Sequence, residues 1–186
     1  RIRQIFILKQ FYETLDRNKL KNIKNIVEIG GGYGCLAQVF SKINKNINYT
    51  IYDMYEVNLL QYYFLKMNNL KPNLNSITSK TNLINKLDLL KKLYKKKSKK
   101  ILIANWSISE FPSKFRVKFL PFIKNSEHAI ISFQSNFENI NNLKFFKKLI
   151  KNLNNKFKIN LQPFTYYNSS PFNKTKHYIL ILNRNA

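Results

Sequence analysis

All four glycines of this chain fall in one stretch, "VEIGGGYGCLAQVF", at Gly30, Gly31, Gly32 and Gly34. Glycine reaches positive φ without strain and lets a bound molecule approach the backbone, so a turn that concentrates it suits a ligand pressed against main chain. Elsewhere the sequence is rich in Lys, Asn and Ile, the signature of an AT-rich coding sequence, and has no other glycine. A packing turn would explain one or two; four point to a ligand. Glu28 precedes them in the pattern Glu28-x-Gly30-x-Gly32-x-Gly34, and Asp53 follows about twenty residues on, where a carboxylate can take both hydroxyls of a ribose in hydrogen bonds. Of the nine acidic residues, Glu28, Asp53 and Glu110 lie at or just past the C-terminal half of a predicted strand. Glu110 is the carboxylate best placed to act as a general base, with a helix-start charge ahead of Pro112 as the competing reading. His128 is a second candidate base, whereas His177, inside a predicted strand, reads as structural. Two histidines and the single Cys35 make no metal-ligand cluster, so no metal is expected.

These groups need elements to position them, and apolar periodicity supplies an alternating order. Residues 1–20 read as an N-terminal capping helix with a stripe of Ile5, Leu8, Tyr12 and Leu15. "NIVEIG" is a first strand, followed by the glycine turn and a helix from Gly34 to Ile43; "INYTIYD" is a second strand ending at Asp53, followed by a helix over Val57 to Asn69. "LNSIT" reads as a weak third strand, Leu83 to Tyr94 as a helix, and "KILIAN" as a fourth strand of the continuous apolar kind found inside parallel sheets. Phe111, Phe115, Phe119 and Phe122 fit one face of a helix, a stripe that reads as core. "HAIISF" is a fifth strand and Ile140 to Leu153 a helix; "FKINLQPF" and "KHYILIL" follow with no helix between them and should pair as an antiparallel hairpin. The expectation is a single domain over 1–186, a Rossmann-like, doubly wound, mostly parallel seven-stranded α/β sheet with helices on both faces.

The glycine pattern resembles motif I of the class I S-adenosylmethionine-dependent methyltransferases. That resemblance implies that Glu28 orients the glycine loop and the methionine end of the cofactor, that Gly30, Gly31, Gly32 and Gly34 line it, that Asp53 holds the ribose and that Met54 lies against the adenine. Three segments, "VEIGGGYGCLAQVF", "YTIYDMYEVNLLQYYFL" and "ILIANWSISEFP", are together similar to the sugar O-methyltransferases of bacterial surface-polysaccharide gene clusters, over roughly Ile26 to Pro112. The implied reaction is methyl transfer to a sugar hydroxyl, with Asn105, Trp106 and Ser107 forming a wall of the site and Asn105 and Trp106 meeting the cofactor. Gly32-x-Gly34-x-x-Ala37 also satisfies a dinucleotide fingerprint, but the charge of Glu28 in a first strand would be unwelcome near a pyrophosphate, and seven strands with a terminal hairpin do not suit that reading.

A formal charge of +24, from 33 basic residues against 9 acidic ones, invites a second reading as an RNA methyltransferase or a basic RNA-binding protein. Only five of the basic residues are Arg, the type suited to bidentate phosphate and guanine recognition, so the Lys excess fits codon bias on a solvated surface better. The densest run, "KKLYKKKSKK", reads as a helix end and loop. "NWSISEF" lacks the paired prolines that amino-methylating nucleic-acid enzymes carry after the fourth strand. No run has the roughly 20 apolar residues of a membrane span, and no secretory pattern is visible, so a cytoplasmic setting is expected. The opening "RIRQIF", without Met, suggests a piece of a longer protein.

Overall fold

The computed structural model describes residues 2–14, 24–78, 80–164 and 175–185. Contacts divide the chain into two compact units, Arg1–Leu102 and Ile103–Ala186. The architecture is Rossmann-like: eight strands, mostly parallel, end in an antiparallel hairpin and are accompanied by helices.

The first unit runs α1 (Ile2–Thr14), β1 (Asn25–Ile29), α2 (Cys35–Ile43), β2 (Asn48–Tyr52), α3 (Tyr55–Met67), β3 (Pro72–Leu74), β4 (Thr81–Ile84) and α4 (Leu87–Lys95). Its strands lie in the order β3-β4-β2-β1, every neighbouring pair parallel. Ile26, Val27 and Ile29 of β1 and Ile51 of β2 are buried, so both faces of these strands are covered, as parallel sheets require. α2 buries Leu36, Ala37 and Phe40.

The third strand and the helix after it differ from expectation. "LNSIT" is not one strand; its Leu74 closes β3, residues 75–78 are not strand, and β4 follows, which makes eight strands rather than seven. Leu83 and Ile84, expected in a helix, are buried strand residues, and the helix begins only at Leu87. Asn82 disguises β4, because a buried amide breaks the apolar run; its Nδ2 donates to Thr50 Oγ1 at 3.4 Å and its Oδ1 accepts from Thr78 N at 3.1 Å. Among the α1 side chains that are described, Ile7 is buried and Tyr12 of the expected stripe is exposed; residues 15–20 lie outside the described residues. The lysine run does end a helix: Lys100 Nζ turns back to donate to Lys96 O at 2.7 Å and Ser98 O at 2.8 Å.

β5 (Lys100–Asn105) ends in the second unit, which continues with α5 (Ser107–Glu110), α6 (Ser113–Arg116), a 3₁₀ turn (Val117–Phe119), α7 (Leu120–Lys124), β6 (His128–Gln134), a small ribbon of β7 (Asn136–Phe137) and β8 (Ile140–Asn141), α8 (Asn142–Lys151), β9 (Phe157–Pro163) and β10 (His177–Arg184). β10 pairs antiparallel with both β6 and β9, which confirms the terminal hairpin. The expected single aromatic helix is broken into short turns. Phe111, ahead of Pro112, takes the extended conformation that a following proline favours, and no helix passes through it. The phenyl rings still cluster, Phe111, Phe115 and Phe119 lying 5.2 Å apart pairwise. Among the described residues no helix is long and apolar enough to cross a membrane.

Candidate functional site

In the first unit the glycine loop leaves the carboxyl end of β1 and enters α2. Gly34 is the N-cap of α2 at φ 80°, a left-handed conformation that favours glycine. Gly31 is demanded by space instead: a Cβ there would stand 2.6 Å from Ile51 Cγ2. A Cβ at Gly32 would meet nothing within 4 Å, so this part of the loop presents bare main chain to open space. Gly30 N donates to Tyr52 O and Gly34 N to Gly31 O, each at 2.9 Å, tying the loop to β2 and to itself.

Asp53, the residue after β2, completes the loop. Its Oδ2 accepts from Gly31 N and from Gln61 Nε2, and its Oδ1 accepts from Met54 N, all at 2.9 Å. Its own N–H donates to Ile84 O at 3.0 Å. Burial pushes its carboxyl pKa up, and the hydrogen bonds from Met54, Gln61 and the loop pull it back. Each carboxylate oxygen offers two lone-pair directions; Oδ2 uses both and Oδ1 one, so Asp53 keeps one direction, on Oδ1, for a ligand hydroxyl. Met54 is 66% exposed beside it, and Tyr33 in the loop is also exposed.

Gln61 is a site residue that the motifs do not announce. From two turns along α3 it donates both to Asp53 and, at 2.9 Å, to Gly32 O, clamping the loop to the carboxylate. The available signal was an amide on a helix face otherwise completed by Leu65. Its Oε1 is buried with no hydrogen-bond partner, as are both amide atoms of Asn58, one turn earlier, and Oδ1 of Asn85, the residue after β4. Buried polar atoms are ordinarily paired, and these three residues leave hydrogen-bonding capacity unmet.

Glu28 lies one residue before the end of β1 and is 3% exposed. Its Oε2 accepts from Tyr49 Oη at 2.9 Å, a bond to β2 rather than to the glycine loop. Burial raises its pKa from 4.5 to about 8, against the Tyr49 hydrogen bond and with a further push from Asp53, so the carboxyl holds its proton at neutral pH.

The other expected site residues lie in the second unit, in two separate places. Asn105, Trp106 and Glu110 gather at the carboxyl end of β6: Asn105 Oδ1 accepts from Ser132 Oγ at 3.1 Å, Trp106 N donates to Ser132 O at 2.8 Å, and Glu110 Oε1 accepts from Gln134 Nε2 at 3.3 Å. Glu110 is exposed. Trp106 adopts φ 62°, an uncommon conformation for a bulky residue; its Nε1 donates to His177 Nδ1 at 3.0 Å and its ring stacks on Phe164. His177 thus supports the Trp106 indole. His128 opens β6, buried, with Nδ1 2.9 Å from Asn183 Oδ1. At about 3.3 Å per residue, the seven residues of β6 put some 20 Å of strand between His128 and the Gln134 that holds Glu110. The two candidate bases therefore do not share a site.

No protein-family model matches the sequence, and no curated protein matches it. Solved structures do match. The methyltransferase domain of bacterial CtHen1 superposes with a TM-score of 0.67 at 13% identity, over 99% of this chain and 97% of that one. The fold is that of the methyltransferases. An rRNA methylase from Streptococcus thermophilus matches with a TM-score of 0.62 at 12% identity, over 89% of each chain. Phosphoethanolamine N-methyltransferase 2 of Haemonchus contortus, solved with S-adenosyl-L-methionine, matches with a TM-score of 0.62 at 10% identity, over 99% of this chain and 52% of that one.

Proposed function

We propose that this chain is an S-adenosylmethionine-dependent methyltransferase acting on a sugar hydroxyl in surface-polysaccharide or glycan synthesis. The observation that carries the cofactor is Asp53, locked by Gly31, Met54 and Gln61 next to a glycine loop with an open main-chain face. The residues fit the group: Asp53 Oδ1 offers an acceptor to a ribose hydroxyl, Asn85 and Gln61 offer buried acceptors to its amino groups, and Met54 offers apolar surface to a planar ring. Bound there, the cofactor supplies an activated methyl for in-line transfer to a hydroxyl oxygen. On the protein side, Gly30 to Gly34 shape the cradle and Gln61 fixes it. Glu110 is the group we assign to take the acceptor proton, its orientation set by Gln134. Asn105 and Trp106 remain proposed cofactor contacts, and we assign no step to His128, which sits at the other end of β6 from Gln134. The sugar acceptor rests on the resemblance of the three sequence segments. A second reading, an RNA acceptor, is favoured by the charge of +24 and by structural neighbours that include a small RNA methyltransferase, HEN1.

Calorimetric titration of S-adenosylhomocysteine into the protein and into Asp53→Ala tests this. Micromolar binding that the variant loses by at least about tenfold, some 1.4 kcal/mol, is the expected result. No heat with either folded protein would remove the methyltransferase reading. Methyl transfer to nucleotide sugars and to RNA, assayed side by side, then decides the acceptor.

A further inference from the structure

The first unit holds a cavity of about 420 Å³ that the cofactor reading leaves unused. Its lining includes Tyr49, near the start of β2, and Thr81, which opens β4, whereas the glycine loop and Asp53 follow the carboxyl ends of β1 and β2. It therefore lies at the opposite end of the strands from the glycines. Ala37, Ile47, Leu70 and Tyr49 give it apolar walls. Lys45, Lys71 and Lys80 also line it, all three are exposed, and among the described residues none has an ion-pair partner. No acidic side chain contributes to the lining.

The two halves of that description select a ligand. Three unpaired ammonium groups around one opening favour an anion of more than one charge, and lysine binds phosphate as a point charge. Apolar walls exclude a bare ion or a sugar phosphate as the best fit, since neither has apolar surface to bury. The volume lies within the range of small-molecule sites, about 300–1,000 Å³. We propose that this cavity binds a nucleotide, its base against Ala37, Ile47, Leu70 and Tyr49 and its phosphate between Lys45, Lys71 and Lys80. The nucleotide comes either as a free mononucleotide or as one unit of an RNA strand; the chemistry is the same. This site stands apart from the cofactor site and does not depend on it.

Because a chain of charge +24 attracts any polyanion, the test removes equal charge in two places. AMP, adenosine and inorganic phosphate are titrated into the protein, into Lys45→Gln/Lys71→Gln/Lys80→Gln, and into Lys92→Gln/Lys95→Gln/Lys97→Gln, whose lysines are exposed on and after α4. AMP should bind at least tenfold more tightly than either adenosine or phosphate; the cavity variant should lose at least tenfold and the α4 variant less than twofold. Lys71→Glu, one exposed charge reversal, repeats the test with least risk to the fold. Asp53→Ala should keep full AMP affinity, and loss there would move AMP to the glycine loop and overturn the proposal. Equal losses in the two triple variants, or adenosine binding as well as AMP, would also overturn it. A single-stranded oligoadenylate displaced by AMP and weakened by the cavity variant identifies RNA as the source. An oligoadenylate that AMP does not displace identifies the free nucleotide.

Discussion

Glu28 carries a proton that most carboxylates have lost at neutral pH, because its position in β1 denies it water and Tyr49 offers only one hydrogen bond. An acid whose folded pKa lies above its unfolded value stabilises the fold fully while protonated in both states, and that contribution fades as pH rises between the two values. Thermal unfolding of the native chain should therefore weaken from about pH 4.5 to about pH 8, relative to Glu28→Gln, which keeps the acceptor for Tyr49 and has nothing to ionise. The gap should reach a few kcal/mol, since each tenfold change in an ionisation constant on folding is worth about 1.4 kcal/mol. Parallel melting curves for the two proteins across that range would show that Glu28 stays charged. Motif spacing points to Glu28 and Asp53, since both depend on position along a strand. It cannot show that Glu28 bonds to Tyr49, which depends on the register Glu28–Ile51 placing two strands side by side.

At the scale of elements, the second unit shows how a broken helix is held. Arg116, wholly buried, donates through Nε to Phe111 O at 2.6 Å, through Nη1 to Asn142 Oδ1 at 2.6 Å and through Nη2 to Ser109 O, with its guanidinium over the Phe145 ring. One side chain thus satisfies the carbonyls that the interruption at Pro112 leaves over, and ties α6 to α8. Arg116→Met should lower stability by on the order of 3 kcal/mol in denaturant unfolding, since it orphans two buried acceptors and one half-buried one. A loss below about 1 kcal/mol would show that other donors replace it. This joint is invisible in the sequence, where four phenylalanines at helical spacing suggest one straight helix. The rings do cluster as that spacing implies, but Pro112 decides the backbone. β4 is hidden for the opposite reason, a polar Asn82 inside a short buried strand. β6 and β10, dominated by apolar residues, and β9, which alternates apolar and polar ones, are legible.

Over the whole molecule, 33 basic residues face 9 acidic ones, and among the described residues the ion pairs are Lys9 with Glu13 and Lys91 with Asp88, both exposed. Surface pairs of that kind contribute little, so repulsion among the remaining cations opposes compaction. Raising sodium chloride from about 0.02 M to about 0.3 M shortens the Debye length from about 20 Å to about 6 Å and so screens that repulsion. The melting temperature should rise by several degrees; a flat or falling dependence would mean that the charges are too far apart to matter. Among the described residues, the same glycine scarcity that accompanies the lysine excess leaves left-handed positions outside the loop to Asn69, Asn75, Trp106 and Glu138. It also makes the protein its own spectroscopic probe. A sample grown on isotope-labelled glycine would yield four backbone amide resonances, all from one loop, without any site-directed label. Each ligand could then be assigned to the glycine turn, or away from it, by whether those four signals move.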